Sequence, residues 1–343
     1  MSGVLSTMLR WMGVRDAGCR QLRNGQALTV RFVTATTRSE GSTSPLWRFA
    51  PELAQLTVVL LWASTFIFSK FAFAEISPLA FLFARFAIMI VIAVVIMLAV
   101  DRAVWRDIDR ADIPRFIAAG LTGYGIYQLC FVIGLSHTSP FSSALLVAMV
   151  PLFTVIILAL TGERTPRSGW IGLGVALVGV AIFLIDKRGD TSGSLVGDLL
   201  SMGSGLSFAI YGIINRPLVL KYPVFTYTGW SVVAGGLPIL VITLPFAIWQ
   251  QWGGVSHLAL GSVVYMAIFP VYIAYILWNF AIEKRGVAQA SSVQLLVPIV
   301  TGVVSAYVLG EPFGPLKLIG AALAMAGLVI IRLPGLRAAA RGR

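Results

Sequence analysis

The chain has 343 residues, 58% of them apolar and only 12% charged, with a formal net charge of +12, and its mean hydropathy is +0.88. Soluble domains hold roughly 45–50% apolar and about 25% charged residues, and a soluble core needs helices with a charged outer face, yet residues 86–100 and 171–185 carry no charge at all. A water-soluble fold is excluded; two cysteines (Cys19, Cys130) and two distant histidines (His137, His257) supply neither a disulfide framework nor a metal or cofactor cluster.

Residues 1–48 stand apart from the rest. They hold seven arginines, many Ser and Thr, and only Asp16 and Glu40 as acids. That composition fits an organelle transit peptide, a disordered cytosolic tail, or a start codon assigned too far upstream. No apolar core of a secretory signal precedes Leu53. Ten apolar spans follow, near 53–74, 78–100, 113–135, 140–161, 168–185, 196–216, 223–249, 259–282, 287–309 and 315–333. These are close to the ~20 residues a helix needs to cross a hydrocarbon core. Pro78, Pro114, Pro166, Pro223 and Pro315 fall in first turns, where a missing N–H costs nothing.

Lysine and arginine set the orientation. With the N-terminus inside, seven lie in 1–48, four in 101–115, two each in 162–167, 216–221 and 284–285, and four after Ile331. Only Lys187, Arg188 and Lys317 fall in outer loops. The positive-inside rule therefore places both termini in the cytoplasm. The basic net charge reads as topology and contact with lipid headgroups, and no nucleic-acid partner is needed to explain it.

The chain also repeats itself. Val150-Pro151 is echoed by Val297-Pro298, Gly162-Glu163 by Gly310-Glu311, Gly172 by Gly320 and Gly179 by Gly327, at offsets of 147 and then 148 residues. Trp62 to Lys70 matches Phe208 to Arg216, and Pro78 with Arg85 matches Pro223 with Trp230. Self-similarity at a fixed offset marks a duplicated unit. Each unit holds five spans, and an odd number forces the second copy to insert upside down. The expected fold is all-α and integral to the membrane, ten transmembrane helices as two inverted five-helix repeats, the plan of many secondary transporters.

Polar and aromatic residues deep in such spans normally face the bundle interior or a wet cavity. Tyr124, Gln128 and Phe131 form one stripe of the third span, and Gln128 and Phe131 correspond to Tyr275 and Trp278 of the eighth, where Asn279 follows. Trp62, Ser64, Thr65 and Tyr211, on the symmetry-related first and sixth spans, join this candidate substrate-binding set. Each could instead serve an interhelical hydrogen bond. Pro151 and Pro298 read as mid-span kinks that free the carbonyls of Val147 and Gln294, with the Gln294 amide offered to a ligand; packing kinks are the alternative. Arg85, seven residues inside the second span, is a counter-charge for an anionic substrate group, or else it snorkels or pairs with carbonyls. Glu163 and Glu311 lie near helix N-termini, which favour them. The glycines of the fifth and tenth spans read as scaffold or as the surface of a homodimer.

Trp62, Phe66 and Lys70 (W-x-x-x-F-x-x-x-K), Pro78 with Arg85, the closing L-V-P…L-G-E…I-G…G pattern, and the segment 277–298 (LWNFAIEKRGVAQASSVQLLVP) together resemble the EamA-type drug/metabolite transporters. The resemblance covers residues 53–333. It implies a first repeat at 53–186, a second at 196–333, an N-terminal extension at 1–48 and a basic cytoplasmic tail at 334–343. It also implies a ten-helix carrier, in bacteria an inner-membrane exporter of amino acids, metabolites or toxic organics, with a cavity lined by both halves. Phe208 stands where the family usually has tryptophan. The functional expectation is a secondary transporter, with no cofactor or metal, exporting a small organic solute by alternating access. A lipid or lipid-carrier flippase and a non-transporting sensor are the alternatives, and an organelle membrane is the alternative location if 1–48 is a transit peptide. An enzyme is not expected, because no nucleophile–base pair or metal set lies together in any span.

Overall fold

The computed structural model describes residues 50–100, 108–161, 167–185, 194–222, 224–274, 277–278, 281 and 294–341. The extension 1–48, Glu163, Tyr275 and Asn279 lie outside the described residues.

Among the described residues every regular element is helical. Spans one, two, five, six, seven and ten are single helices: Ala50–Phe73, Pro78–Val100, Arg167–Ile185, Leu195–Lys221, Val224–Trp249 and Pro315–Arg341. Span three runs through Ile113–Gly120, a π-helical turn at Leu121–Ile126, and Tyr127–His137. Span four is split into Pro140–Val147 and Val150–Leu160. Span eight is His257–Ile268 followed by a π-helical turn at Phe269–Ile273, and span nine is described over Leu296–Leu309. Eight helices are long and apolar enough to cross a bilayer, and the two shorter apolar helices His257–Ile273 and Leu296–Leu309 bring the set to ten. Large apolar side chains point outward, Leu160 82%, Trp249 79% and Val241 73% exposed. In water such a surface would aggregate, whereas in lipid it is matched.

The ends of spans six and ten and the course of span four differ from the sequence expectation. Span six continues past residue 216, through Pro217, to Lys221. Span ten continues past 333 to Arg341, because the R-A-A-A-R run at its end is strongly helix-favouring. The proline of span four does not kink a continuous helix: the chain turns at Ala148–Met149 and a new helix begins with Pro151 in its first turn, where proline is best tolerated. In span nine Gln294–Leu295 form a turn and the helix after it likewise carries Pro298 in its first turn, while residues 282–293 lie outside the described residues. The Gln294 carbonyl, expected to be free, accepts the Val297 N–H at 3.0 Å.

The packing obeys the duplication. Span two lies against span seven and span five against span ten, each helix meeting its own symmetry mate. Span three packs on span six as span eight packs on span one, and span four packs on span six as span nine packs on span one. The two π turns fall at equivalent places in the halves, and so do the turns at Ala148–Met149 and Gln294–Leu295. The fifth and tenth spans meet backbone to backbone. A Cβ on Gly172 would lie 2.6 Å from the Gly327 carbonyl oxygen, and one on Gly320 would lie 2.7 Å from the Phe183 Cα. Gly172, Gly179, Gly320 and Gly327 thus serve the packing within the chain, whereas a Cβ on Gly174 would meet nothing within 4 Å. Gly310, the left-handed residue at the end of span nine (φ 65°), lets the Glu311 N–H return to the Ser305 carbonyl at 3.3 Å.

Candidate substrate cavity

The two halves enclose a cavity of about 400 Å³, within the range of small-molecule sites. The first, second, third, fourth, sixth, seventh, eighth, ninth and tenth spans all contribute to its wall. Of the sequence-nominated residues, Trp62, Thr65, Arg85, Tyr124, Gln128, Tyr211, Trp278, Gln294 and Pro151 line this one space. Pro298 does not line it and is buried in the packing of span nine, while its neighbours Leu295 and Val297 reach the wall. Ser64 is spent elsewhere, sharing a 2.7 Å hydrogen bond with the Tyr265 hydroxyl. The Thr65 hydroxyl donates back to its own helix at Leu61 O, 3.2 Å away.

The π turns explain why these side chains converge. A π turn leaves a backbone carbonyl off the regular ladder and widens the helix, a device frequent at functional sites. In span eight the Pro270 carbonyl accepts the Trp62 indole N–H at 3.1 Å, which fixes that ring at the wall. In span three the Thr122 carbonyl accepts the Ser207 hydroxyl at 2.7 Å. Each half's π turn is thus satisfied by the first helix of the other half. Gly123, inside the first π turn, lets the Tyr211 ring lie where a side chain would stand: a Cβ there would be 2.7 Å from Tyr211 Cε2.

Aromatic rings form most of the lining. Trp62 and Trp278, from opposite halves, have centroids 5.5 Å apart, and Phe66 meets Phe131 edge-on at 5.4 Å. Tyr127, Phe208, Tyr211 and Tyr124 continue as a chain with centroid spacings of 5.1, 5.4 and 6.0 Å. Arg85, only 3% exposed, donates through Nη1 to Gln128 Oε1 at 3.1 Å. Its Nε has no hydrogen-bond partner.

Four polar residues of the wall were missed from sequence: Tyr127, Asn215, Tyr227 and Arg332. Tyr127 was detectable, three residues after Tyr124 on the nominated stripe. Asn215 and Arg332 stand next to apparent span ends and read there as boundary residues, with Arg332 counted among the inside charges. Asn215 Oδ1 and Arg332 Nη1 are buried without a hydrogen-bond partner. Among the described residues no group of three or more His, Cys, Asp or Glu could hold a metal.

The bundle is tied at both membrane faces outside the cavity. At one face Glu75, after span one, accepts the Ser256 hydroxyl and backbone N–H, both at 2.6 Å, and these bonds hold its carboxyl below the usual range. At the other, Lys221 at the end of span six bonds Asp109 (3.1 Å) and Asp112, and the Tyr222 hydroxyl donates to Asp112 at 2.8 Å. The Ala111 N–H, then Lys221, hold the Asp109 carboxyl low, and Asp112 foremost pushes the Lys221 ammonium up. In the first turn of span ten Lys317 pairs with Glu311 of the preceding loop at 3.2 Å, both side chains nearly dry at 4% and 5% exposed. The second Glu311 oxygen accepts the Phe141 N–H at 3.3 Å, so it closes the N-terminus of span four.

A ten-helix membrane bundle whose inverted halves jointly wall a polar-aromatic cavity has the architecture of a solute carrier. Comparison with known proteins gives the family. The EamA-like transporter family model matches residues 51–185 and 195–333, and the chain belongs to that family as a multi-pass integral membrane transporter. It is 28% identical over 274 residues to an uncharacterized transporter of Archaeoglobus fulgidus, covering 80% of this chain and 95% of the relative. It is 30% identical over 227 residues to a "probable terminal-alkyne amino-acid exporter" of Streptantibioticus cattleyicolor, covering 64% and 73%. It is 25% identical over 285 residues to a "probable amino-acid metabolite efflux pump" of Salmonella typhimurium, covering 80% and 92%. A solved crystal structure superposes with a TM-score of 0.57 at 20% identity over 84% of this chain and 98% of the other, which shows a shared fold.

Proposed function

We propose that this protein is a secondary carrier that exports a small amphipathic organic solute from the cytoplasm of a bacterium by alternating access, with both termini cytoplasmic. The observation that carries this reading is a cavity walled by both inverted halves, with Trp62 and Trp278 meeting across it. Because the halves are related by inversion, exchanging their conformations converts an opening on one face into an opening on the other. The cavity reaches Asn215, Tyr227 and Arg332, near the cytoplasmic ends of spans six, seven and ten. At the opposite face the Glu75–Ser256 tie and the Lys317–Glu311 pair hold the ends of the helices together. The described state is therefore read as inward-facing. The efflux-pump and exporter names of the relatives support the outward direction.

Trp278→Ala and Gln128→Ala should each impair solute flux in reconstituted vesicles while the protein remains in the membrane at wild-type abundance. Undiminished flux in both variants would remove the cavity from the transport path. Deletion of residues 1–48 should leave the product in the same membrane.

A further inference from the structure

We propose that the solute is a net organic anion, a carboxylate on an aromatic or apolar body, held between Arg85 and Arg332; this rests on the carrier reading above. Both arginines line the same cavity, and each keeps a buried nitrogen with no hydrogen-bond partner, Nε of Arg85 and Nη1 of Arg332. Arg85 donates to the neutral Gln128 amide, and the described residues lining the cavity include no Asp or Glu.

Two lysines among the described residues are met differently. Lys221 has two carboxylates and Lys317 has Glu311. A buried unpaired charge is costly and is retained where something else completes it. A guanidinium presents coplanar N–H groups that match the two oxygens of a carboxylate. The Trp62 and Trp278 rings and the Phe66–Phe131 pair give the wall an apolar side, which suits an aryl or alkyl body. A zwitterion would bring its ammonium into a space already holding two positive charges, and an amine would bring nothing else. A net anion neutralises the space. An inside-negative membrane potential also drives an anion outward unaided, so such a carrier needs no proton-binding carboxylate at mid-membrane.

The test uses the full-length chain in proteoliposomes, with protein-free vesicles as the permeation control. Two matched series are loaded inside: 3-phenylpropanoate, phenylalanine and phenethylamine; then indole-3-acetate, tryptophan and tryptamine. Efflux of the acids should exceed that of the zwitterions by roughly tenfold or more, with the amines slowest. Only acid efflux should accelerate when the potential is made inside-negative. Arg332→Gln should shrink the acid-to-zwitterion ratio, and Arg332→Lys should restore part of it. If a zwitterion or an amine moves fastest, or if R332Q leaves the ratio unchanged, the anion assignment is overturned and the carrier reading stands. If no member of either series moves, both fall together.

Discussion

The Glu311–Lys317 pair gives the sharpest test of how this bundle is held closed at the face where span nine ends and span ten begins. The two side chains are 5% and 4% exposed, 3.2 Å apart, and the ammonium lies 5.6 to 5.9 Å from the ring centroids of Phe313, Phe141 and Phe183. Removing one member of a dry ion pair leaves the other charge unsolvated, a loss of about 3–5 kcal/mol. Lys317→Met should cost that much, because Glu311 keeps the Phe141 N–H but loses its counter-ion. Glu311→Gln should cost less, since three ring faces still attract the ammonium by roughly 0.5–2 kcal/mol each. In the double variant no charge remains, the amide oxygen introduced at position 311 can still accept the Phe141 N–H, and the loss should fall to about 1 kcal/mol or below. Reversible unfolding by titration with a denaturing detergent in mixed micelles reads these differences as a double-mutant cycle. Should K317M match the wild type, or the double variant lose the sum of the two single losses, the buried pair is not what fastens this face.

Three further outcomes are expected. The Glu75 carboxyl is held low chiefly by the Ser256 hydroxyl and then by the Ser256 N–H, so its contribution is present above the ordinary glutamate pKa of about 4.3 and is lost as pH falls through the lowered value; thermal stability of the wild type should drop more between about pH 5 and about pH 3 than that of Ser256→Ala, and parallel profiles would count against the tie. Gly320→Val places a side chain 2.7 Å from the Phe183 Cα and 2.8 Å from the Gly179 carbonyl, so it should yield little monodisperse protein on size exclusion, whereas Gly174→Ala, with nothing within 4 Å, should behave as wild type. In a background with Cys19 and Cys130 replaced by serine, Arg110→Cys and Gly253→Cys, in corresponding loops of the two halves, should react with an impermeant maleimide from opposite sides of the membrane; labelling from one side would end the inverted arrangement.

Sequence reasoning located the cavity wall where a residue's chemistry clashed with its solvent. Arg85, Gln128, Trp62 and Trp278 sit inside apolar spans, and a polar or indole group there needs an interior partner, so their placement could be inferred. Arg332 and Asn215 escaped because they stand near apparent span ends, where a charge or amide is unremarkable; what exposes them is the tenth helix running on to Arg341 and the sixth to Lys221. Lys317 was legible as an outer-loop lysine and not as a buried one, because two of the three rings that shelter it, Phe141 and Phe183, come from distant stretches of chain. The π turns left no pattern beyond Gly123 and Gly125 in one half and Pro270 in the other. The break before Pro151 was anticipated as a kink, since a proline marks where a ladder fails but not whether the helix resumes in line.

The duplication is imperfect in one place that matters for poise. Lys221 stands where the other half has Glu75, and Asp109 stands where it has Ser256. The same junction is therefore fastened by opposed charges at one surface and by a carboxylate gripping a hydroxyl and an amide at the other. Electrolyte weakens the first and hardly touches the second. Two gene copies that began as equals have come to differ in their clasps, and ionic strength on a single side of the bilayer becomes a handle on which way the molecule rests.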